Sequence, residues 1–512
     1  MPGYYVENFG CRATQADGAA LERQFEELGL SRSTSGQAAI VVLNTCTVTA
    51  AADQDARAAI RRIQRQNPQA SIVVTGCYAQ RAPEEISALK GVTHVIGNSH
   101  KHRLAEITLR GGTAVPLPGT FVPLRELAPR QRPPLAHPER SAGTDDQRPI
   151  FVSDIFAHTE LLAAPVFDAA NERTRPNLKI QDGCDNRCSF CVIPYVRGQS
   201  RSFGIDRIIH EVNTLVTAGY REVVLSGINL GRWGRDLPAG PASTHVGTAA
   251  LGCPGERSSP ALRTPDSGSR KPTFASLILT ILSETSVEKL RISSVEPMDW
   301  TDELISLVAS SPRIAKHAHV PMQSASDAVL RRMHRKYRPW HYREKIENIH
   351  AAMPTAAIGA DVMVGFPGET DSEFQSTRRM IEDLPFTYLH VFTYSPRPGT
   401  PAANMPNQVP LHVARGRNRV LRELASAKKL EFLRSFIGKT VEAITLNAAS
   451  HDSNGDFTEA LTDNYLKLRL RGSHDPNHWL VARVEEVEAG ALVGSYVGPE
   501  LHLGGAALSA LR

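Results

Sequence analysis

Residues 179–198 read KIQDGCDNRCSFCVIPYVRG and contain three cysteines in the spacing Cys-x-x-x-Cys-x-x-Cys. Residues 178–181 (LKIQ) are a candidate strand directly before them. A loop that follows a strand can place three closely spaced thiolates around an iron–sulfur cluster. A structural zinc site normally has four closed ligands, and no fourth Cys or His stands at zinc-finger spacing. The motif therefore favours an iron–sulfur cluster, with a zinc knuckle or chance clustering as the alternative.

Composition is that of a globular protein of 512 residues with about three domains. Lys and Arg number 58 and Asp and Glu 53, so the formal net charge is +5, a mild basic excess. No run approaches the ~18 apolar residues of a membrane span, and the first residues lack the features of a secretory signal. The sequence therefore predicts no membrane segment and a cytoplasmic location. Seven cysteines are too sparse for a disulfide framework and fit metal ligands better.

Strand-then-helix units alternate over residues 1–112, which predicts an N-terminal open parallel α/β domain. Its strands are expected at 4–8, 39–43 and 71–75, and its helices at 15–28, 50–66 and 83–90. Residues 113–169 are Pro-rich and are interpreted as a linker with one ordered apolar segment near 150–156.

A second α/β series is expected over residues 170–433, with strands at 178–181, 222–226, 290–294, 316–321, 357–364 and 387–393. Six repeats predict a central partial (β/α)6 barrel. Residues 236–272 are rich in Gly, Pro, Ser and Thr and are interpreted as a flexible insertion whose Cys253 has no assigned role. Residues 434–502 turn to short strands and tight turns, which predicts a small C-terminal β-barrel or sandwich.

The remaining cysteines, Cys11, Cys46 and Cys77, each follow a predicted strand and precede a predicted helix. Because the carboxyl ends of parallel strands meet at one edge of a sheet, these three side chains could converge. The spacing alone fits buried core cysteines about equally well, since Cys is among the residue types most often buried.

Residues 179–198 resemble the signature of radical S-adenosylmethionine enzymes, with the usual aromatic, Phe190, before the third cysteine. Pro194 and Arg197-Gly198 make the stretch similar to the methylthiotransferase branch of those enzymes. Residues 44–49 (NTCTVT) and 75–80 (TGCYAQ) resemble the N-terminal domain of the same family. One departure is Ala13-Thr14-Gln15, where the family more often has Val-Asn-Gln.

The resemblance implies two 4Fe-4S clusters. One cluster, with an open iron, would bind S-adenosyl-L-methionine and cleave it reductively to a 5′-deoxyadenosyl radical. The other would supply sulfur, and a second S-adenosylmethionine the methyl group. The implied ligands are Cys184, Cys188 and Cys191 for the first cluster, and Cys11, Cys46 and Cys77 for the second.

Polar residues follow several of the barrel strands. Gly227 and Asn229 stand just past a strand, where a missing side chain admits a ligand and an amide can bond it. The resemblance implies S-adenosylmethionine contacts near Ser294, in the next strand–loop segment. Each residue alone also fits turn chemistry or a helix cap. The expected cofactor contacts are Phe190, Gly227, Asn229, Ser294, Glu296 and Gln323.

Four strings resemble the branch that modifies threonylcarbamoyladenosine in tRNA: 181–185 (QDGCD), 226–231 (SGINLG), 359–370 (GADVMVGFPGET) and 462–465 (TDNY). The isopentenyladenosine branch usually has Glu where Asp182 stands and Gly-Gln-Asn near Gly227, and the branch that modifies a ribosomal-protein aspartate usually has Asp-Thr there. The resemblance therefore implies methylthiolation of C2 of N6-threonylcarbamoyladenosine at position 37 of the tRNA anticodon loop. Isopentenyladenosine or the ribosomal aspartate are the alternative substrates, and a non-enzymatic, metal-stabilised RNA-binding protein is the rival of another class.

Partners follow from the same resemblance: tRNA, a reducing protein such as a flavodoxin or ferredoxin, and a sulfur donor. The tail resembles the small TRAM-like β domain that delivers RNA in this family. Its KLRLR string places Lys467, Arg469 and Arg471 on one strand face. This basic stripe could meet phosphates, or it could be a solvated face over a leucine core. The more basic runs at 331–338 and 415–434 also fit ordinary exposed helices.

Overall fold

The computed structural model describes residues 3–109, 149–158, 161–162, 175–239, 271–452 and 455–499. It is a mixed α/β molecule with a parallel sheet, a central row of parallel strands and a closed C-terminal β-barrel, which confirms the predicted fold class. Most of the expected linker, and most of the expected insertion with Cys253, lie outside the described residues. No helix in the described ranges has both the length and the apolar character needed to cross a membrane.

The N-terminal unit is a six-stranded parallel sheet with the strand order β2-β1-β3-β4-β5-β6. Its strands are β1 (Gly3–Asn8), β2 (Ser31–Arg32), β3 (Ile40–Thr45), β4 (Ser71–Gly76), β5 (Val92–Gly97) and β6 (Ile150–Phe151). Its helices are α1 (Arg12–Glu27), α2 (Ala50–Gln66), α3 (Cys77–Arg81), α4 (Pro83–Ser87) and α5 (Leu104–Leu109). Strand β3 is buried along its whole length, as expected for the centre of a parallel sheet covered on both faces.

Helix α2 matches its predicted range because residues next to each end in the sequence determine where it begins and ends. Thr49 accepts a hydrogen bond from the Ala52 N–H at 3.2 Å and so caps the first turn. The helix ends at Gln66, and its C-cap residue Asn67 stands directly before Pro68, whose ring disfavours helical geometry in the preceding residue. Ile60 and other apolar residues on one face are buried, which attaches the helix to the sheet.

The central unit contains six parallel strands, and all six were predicted. They are β7 (Asn177–Asp182), β9 (Glu222–Gly227), β10 (Lys289–Ile292), β11 (His317–His319), β12 (Ala357–Val364) and β13 (Tyr388–Thr393). Bridges from Leu290 to Ile314 and from Ser294 to His319 join the β7-β9-β10 set to the β11-β12-β13 set. Strand β8 (Arg201–Ser202) was not predicted and pairs antiparallel with the other edge of β7.

Helices cover the outside of this row of strands. They are α7 (Ile205–Thr217), α8 (Phe274–Glu284), α9 (Asp302–Ser310), α10 (Asp327–Arg332), α11 (Pro339–Ala352) and α12 (Asp371–Asp383). The short helix α6 (Ile193–Arg197) instead contacts α3 of the N-terminal unit. One large apolar cluster fills the space between strands and helices, and Trp233, Trp300 and Tyr342 are among its fully buried members. The arrangement is the partial (β/α)6 barrel expected from the repeats.

The C-terminal unit follows helix α13 (Leu411–Arg434) and is a closed barrel with the strand order β14-β15-β16-β18-β17. The strands are β14 (Thr440–Asp452), β15 (Gly455–Thr462), β16 (Lys467–Arg471), β17 (Trp479–Glu488) and β18 (Ala491–Pro499). Leu466, Leu468 and Leu470 point into its core, which confirms the small β-barrel.

Polar bonds join the three units near the amino ends of the barrel strands. Asn177 of β7 donates to the Arg12 carbonyl at 2.9 Å, which fixes the start of α1 against the barrel. The Arg12 guanidinium donates to the Tyr465 hydroxyl at 3.1 Å, in the turn before β16. Helix α1 therefore lies between the sheet to which it belongs and the β7 side of the barrel.

Candidate functional site

The first cysteine set lies on the loop that leaves the carboxyl end of β7. Gly183 precedes Cys184 with φ of +72°, and a Cβ at that position would lie 1.9 Å from the carbonyl oxygen of Gln199. The Cys184 N–H donates to the Gly198 carbonyl at 3.1 Å. Position 183 therefore requires glycine, because the cysteine loop packs there against the backbone of the segment that follows α6.

Nitrogen donors surround the sulfur atoms of this loop. The Asn186 N–H lies 3.4 Å from Cys184 Sγ, and the Asn229 side-chain amide lies 3.6 Å from the same sulfur. The Arg335 guanidinium donates to Cys188 Sγ at 3.3 Å. Donors of this kind stabilise thiolates and tune an iron–sulfur cluster bound by them.

Burial raises the pKa of the Cys184 thiol to about 11 and that of the Cys191 thiol to about 12, and the neighbouring Cys188 acts in the same direction on both. Without a metal, both are therefore neutral thiols at pH 7. Metal ligation removes such protons because the thiolate is the ligand form. Three adjacent cysteines with N–H donors on their sulfurs fit a cluster that takes three protein ligands.

Two of the expected cofactor contacts lie directly beside these cysteines. Asn229 contacts Cys184, and its Oδ1 is buried without a hydrogen-bond partner among the described atoms. Glu296 forms an ion pair with Arg335, the residue that contacts Cys188. Glu296 therefore positions Arg335, which in turn contacts the cysteine loop. Arg335 was not among the site residues predicted from the sequence.

The other expected contacts lie at or near the carboxyl ends of barrel strands. Gly227 ends β9, and a Cβ there would lie 3.0 Å from Gln181 Oε1. Ser294 Oγ and His319 Nδ1 share a hydrogen bond of 2.6 Å. Gln323 has φ of +62°, and its Oε1 is buried without a partner among the described atoms. Unpaired buried polar atoms at this barrel mouth are groups that a bound polar ligand would satisfy.

Phe190 is only half-buried and packs edge-on against Phe366, with ring centroids 6.4 Å apart. Its neighbours are apolar side chains such as Met363 and Tyr394. The structure thus connects Phe190 to the apolar wall beside the cysteine loop, on strands β12 and β13.

The interior of the barrel is polar. His319, Asp361 and His390 come from β11, β12 and the facing position of β13, and one ligand atom from each lies within 4.8 Å of the others. His317 and Tyr388 stack with ring centroids 5.8 Å apart and share a hydrogen bond of 2.6 Å. Burial lowers the pKa of His317 well below its usual value, so its imidazole is neutral at pH 7. A closed eight-stranded barrel fills this space with apolar side chains, whereas this interior suits a polar substrate.

The second cysteine set converges as the strand order predicts. Cys11, Cys46 and Cys77 follow β1, β3 and β4, which are neighbours in the sheet. A Cβ built on Gly10, next to Cys11, would lie 2.9 Å from Cys46 Sγ. Burial, and secondarily the adjacent Cys77, raise the pKa of Cys46 to about 12. Cys11 is exposed and the other two are buried, so one edge of this thiol set faces open space.

The two cysteine sets belong to elements that contact each other. Cys77 packs with Val192 and Val196, which flank and form helix α6 directly after Cys191. Asn98 donates to the Val196 carbonyl at 2.7 Å and lies 3.7 Å from Cys77 Sγ. Helix α6 therefore links the loop of the first set to the second set.

The basic stripe of the C-terminal barrel has the predicted geometry, because Lys467 and Arg471 are exposed and Leu468 and Leu470 are buried. Its arginines, however, are paired with acids across the barrel surface. Arg469 donates to Glu488 at 3.0 Å, and Arg471 bonds Glu485 at 3.0 Å and Glu486 at 2.9 Å. Most of the positive charge of this stripe is therefore already neutralised.

Sequence reasoning missed the buried charged residues around both cysteine sets. Arg335 belongs to the basic run 331–338, which was compatible with an exposed helix, yet it is 7% exposed and contacts Cys188. Asp17, Lys101 and Lys179 were not singled out at all, although they form ion pairs in the core. Apart from Asp182, which is three residues from Lys179, their ion-pair partners lie far away in sequence, so no local charge spacing predicts them.

Comparison with known proteins places two family models on the chain. Residues 3–97 match the model described as "Uncharacterized protein family UPF0004", and residues 178–381 match the Radical SAM superfamily. The first range contains Cys11, Cys46 and Cys77, and the second begins in β7 and contains the cysteine loop.

Curated relatives resemble the chain over most of its length. A threonylcarbamoyladenosine tRNA methylthiotransferase of Bacillus subtilis is 34% identical over 468 residues, covering 91% of this chain and 90% of the relative. The protein of the same name in Aquifex aeolicus is 32% identical over 469 residues, covering 91% and 96%. A tRNA-2-methylthio-N(6)-dimethylallyladenosine synthase of Endomicrobium trichonymphae is 28% identical over 499 residues, covering 96% and 100%.

Proposed function

This chain belongs to the radical S-adenosylmethionine methylthiotransferase family, and on that premise we propose that it methylthiolates C2 of N6-threonylcarbamoyladenosine at position 37 in the tRNA anticodon loop. The product is 2-methylthio-N6-threonylcarbamoyladenosine. The observation that carries the proposal is the meeting of two three-cysteine sets, one on the barrel loop and one on the sheet, through helix α6.

In this assignment, Cys184, Cys188 and Cys191 bind the cluster that takes S-adenosylmethionine, and Cys11, Cys46 and Cys77 bind the auxiliary cluster. When bound, these groups supply reductive cleavage of S-adenosylmethionine, sulfur and a methyl group.

The protein contributes position and environment. The Arg335 guanidinium and the Asn229 amide stabilise thiolate charge on Cys188 and Cys184. Asn229, Ser294, Glu296 and Gln323 line the barrel mouth, where we place the S-adenosylmethionine contacts, together with Gly227 and Phe190. Helix α1 covers the β7 side of the barrel and limits the access of water to the interior. The target adenosine must leave the base stack to reach the interior, which fits an anticodon-loop nucleotide.

The choice of substrate rests on the threonylcarbamoyl-type strings and on relatives of that name at 32–34% identity. One string, TDNY at 462–465, has a structural role in this chain. Its Asn464 donates to the Thr355 carbonyl before β12, and its Tyr465 receives a hydrogen bond from Arg12. Isopentenyladenosine is the second candidate, because a dimethylallyladenosine synthase is 28% identical over nearly the whole chain.

Further partners belong to the same proposal. A one-electron reducing protein such as a flavodoxin or ferredoxin would supply electrons, a sulfur donor would restore the auxiliary site, and tRNA as substrate would place the chain in the cytoplasm. Within the TRAM-like stripe we assign RNA contact to the exposed Lys467. Arg469 and Arg471 have secondary roles because they are paired with glutamates.

The test is a reconstituted reaction on anticodon stem-loops that carry threonylcarbamoyladenosine, isopentenyladenosine or plain adenosine at position 37. We expect a methylthio product only from the first, measured by mass spectrometry of the nucleosides. A product from the isopentenyl stem-loop alone would show that the substrate is isopentenyladenosine and that the proposed substrate is wrong. Tight zinc binding without iron–sulfur absorption, together with full RNA binding, would favour the non-enzymatic rival.

A further inference from the structure

Five charged side chains are buried together where the N-terminal sheet meets the barrel. They are at most 6% exposed, and they are Asp17, Lys101, Lys179, Asp182 and Arg197. Asp17 is their centre, since it pairs with Lys101 at 3.1 Å, with Arg197 at 3.0 Å and with Lys179. Asp182 pairs with Lys179 at 2.9 Å and with Arg197 at 2.9 Å. This group is called the junction charge group below.

The junction charge group has an unbalanced formal charge. It contains three cations and two carboxylates, so its sum is 3 − 2 = +1. Although burial alone would raise the pKa of Asp17, the three cations keep it below its usual value. Asp182 lies between two cations, each 2.9 Å away, and is counted as a carboxylate on that geometry. Burial lowers the pKa of Lys101, and Asp17 acts in the opposite direction. A buried excess charge is costly and calls for a counter-charge close by.

The remaining hydrogen-bond partners of the side chains in the group are neutral, and the cation Arg201 donates only to the Arg197 backbone carbonyl, at 2.7 Å. Lys101 donates to the Asn44 amide oxygen at 3.1 Å, and Arg197 lies 3.5 Å from the Thr14 hydroxyl. That hydroxyl is itself 3.6 Å from Cys11 Sγ. Among the described residues, the group thus contacts no further carboxylate, and the Thr14 hydroxyl connects Arg197 to Cys11 Sγ.

Both cysteine sets are attached to the junction charge group through the backbone. Asp17 lies on α1, which begins directly after Cys11, and Asp182 ends β7 two residues before Cys184. Arg197 ends α6, whose Val196 carbonyl accepts from the Asn98 amide beside Cys77. Cys77 interacts electrostatically with both Lys101 and Arg197, and Cys11 with Arg197, so the second cysteine set is a potential anion close to the group.

We propose that the junction charge group is the counter-charge of the auxiliary cluster and raises that cluster's reduction potential. This inference rests on the proposed function only for the assignment of Cys11, Cys46 and Cys77 as cluster ligands. A four-iron cluster with three thiolate ligands is anionic, and it becomes more so when it accepts one electron from a reductant such as dithionite. Nearby fixed positive charge stabilises the reduced form most, which raises the potential.

Lys101 is the side chain to change, because Asp17 keeps Lys179 and Arg197 as partners when it is lost. Lys101→Met removes the excess charge, Lys101→Arg retains it, and Lys90→Met removes an exposed lysine from the same sheet unit as the matched control. All are made in a full-length background in which Cys184, Cys188 and Cys191 are alanine, so that only the auxiliary cluster contributes to the spectrum.

The readout is a redox titration followed by electron paramagnetic resonance, with iron content measured in parallel. A unit charge about 10 Å away at an effective dielectric constant of about 20 shifts a one-electron equilibrium on the order of tenfold, which corresponds to a midpoint lower by about 59 mV in Lys101→Met. Lys101→Arg and Lys90→Met should stay near the parent. Loss of iron in Lys101→Met but not in Lys101→Arg also supports a role for charge.

An unchanged midpoint in an iron-replete Lys101→Met protein would overturn the inference, and so would equal iron loss in Lys101→Met and Lys101→Arg. If the triple-alanine parent binds no cluster at all, the assignment of the second cysteine set is wrong, and with it the two-cluster function. None of these measurements depends on turnover of tRNA.

Discussion

Replacing Gly183 by alanine should disable the barrel cysteine loop while leaving the sheet cysteines intact. The new Cβ would lie 1.9 Å from the Gln199 carbonyl oxygen, a backbone atom that cannot rotate away. The loop would have to open, and the 3.1 Å bond from Cys184 N–H to the Gly198 carbonyl would break. Positive φ costs an alanine about 1–2 kcal/mol, the lost bond about 1 kcal/mol and the overpacking about 1–3 kcal/mol.

The sum, about 3–6 kcal/mol, is a large part of the stability of a typical domain. We expect iron per chain to fall by about half and the urea midpoint of unfolding to decrease. Gly204→Ala is the matched control, because Gly204 has φ of −64° and no atom within 4 Å of an added Cβ. Full iron content and an unchanged midpoint in Gly183→Ala would refute the steric reasoning.

Three further predictions concern the sites. Cys184→Ala should abolish reductive S-adenosylmethionine cleavage, whereas Cys46→Ala should retain some cleavage but give no thiolated nucleoside, both measured by chromatography of the products. Arg335→Met should lower the free energy of unfolding by about 2 kcal/mol, because Glu296, whose side chain is 24% exposed, loses its charged partner; urea unfolding measures this. Lys467→Gln should reduce the slope of log affinity for tRNA against log salt by about 1, whereas Arg471→Gln should change it little because two glutamates already pair with that arginine.

Each of these three predictions would be contradicted by a specific result. Normal thiolation by Cys46→Ala would end the two-cluster scheme. If Arg335→Met loses stability because Glu296 is left unpaired, adding Glu296→Gln should restore much of the free energy of unfolding. A double variant as unstable as the single variant would contradict this explanation. If the slope of log affinity for tRNA against log salt is the same for Lys467→Gln and the unmodified chain, the stripe does not contact RNA.

The barrel strands were predictable because short stretches that contain apolar residues alternate with helical patterns along the chain. Strand β12 was predicted at its observed bounds, 357–364, and all but one of its residues are buried. Strand β8 has two residues and β5 mixes Thr and His into a short run, so neither produces a readable period. Helix α1 begins three residues earlier than predicted, because Cys11 occupies its N-cap position without a capping side chain.

The cysteine sets were visible in the sequence, whereas their electrostatic surroundings were not. Arg335 lies 39 residues from Glu296, and Asp17 lies 162 residues from Lys179. Ion pairs across such distances depend on how the sheet and the barrel pack, and no local rule of charge spacing reports them. For the basic stripe, the alternation of β16 predicted the exposed face correctly. It did not predict the glutamates of β17, a strand separated from β16 by β18, that pair with the arginines.

The most direct test of the account is mass spectrometry of tRNA nucleosides from cells with the gene, without it, and complemented with either the intact chain or its Cys184→Ala variant. The account predicts that 2-methylthio-N6-threonylcarbamoyladenosine disappears without the gene while its unthiolated precursor accumulates, and that only the intact chain restores it. An unchanged level of that nucleoside in cells lacking the gene would contradict the proposed substrate.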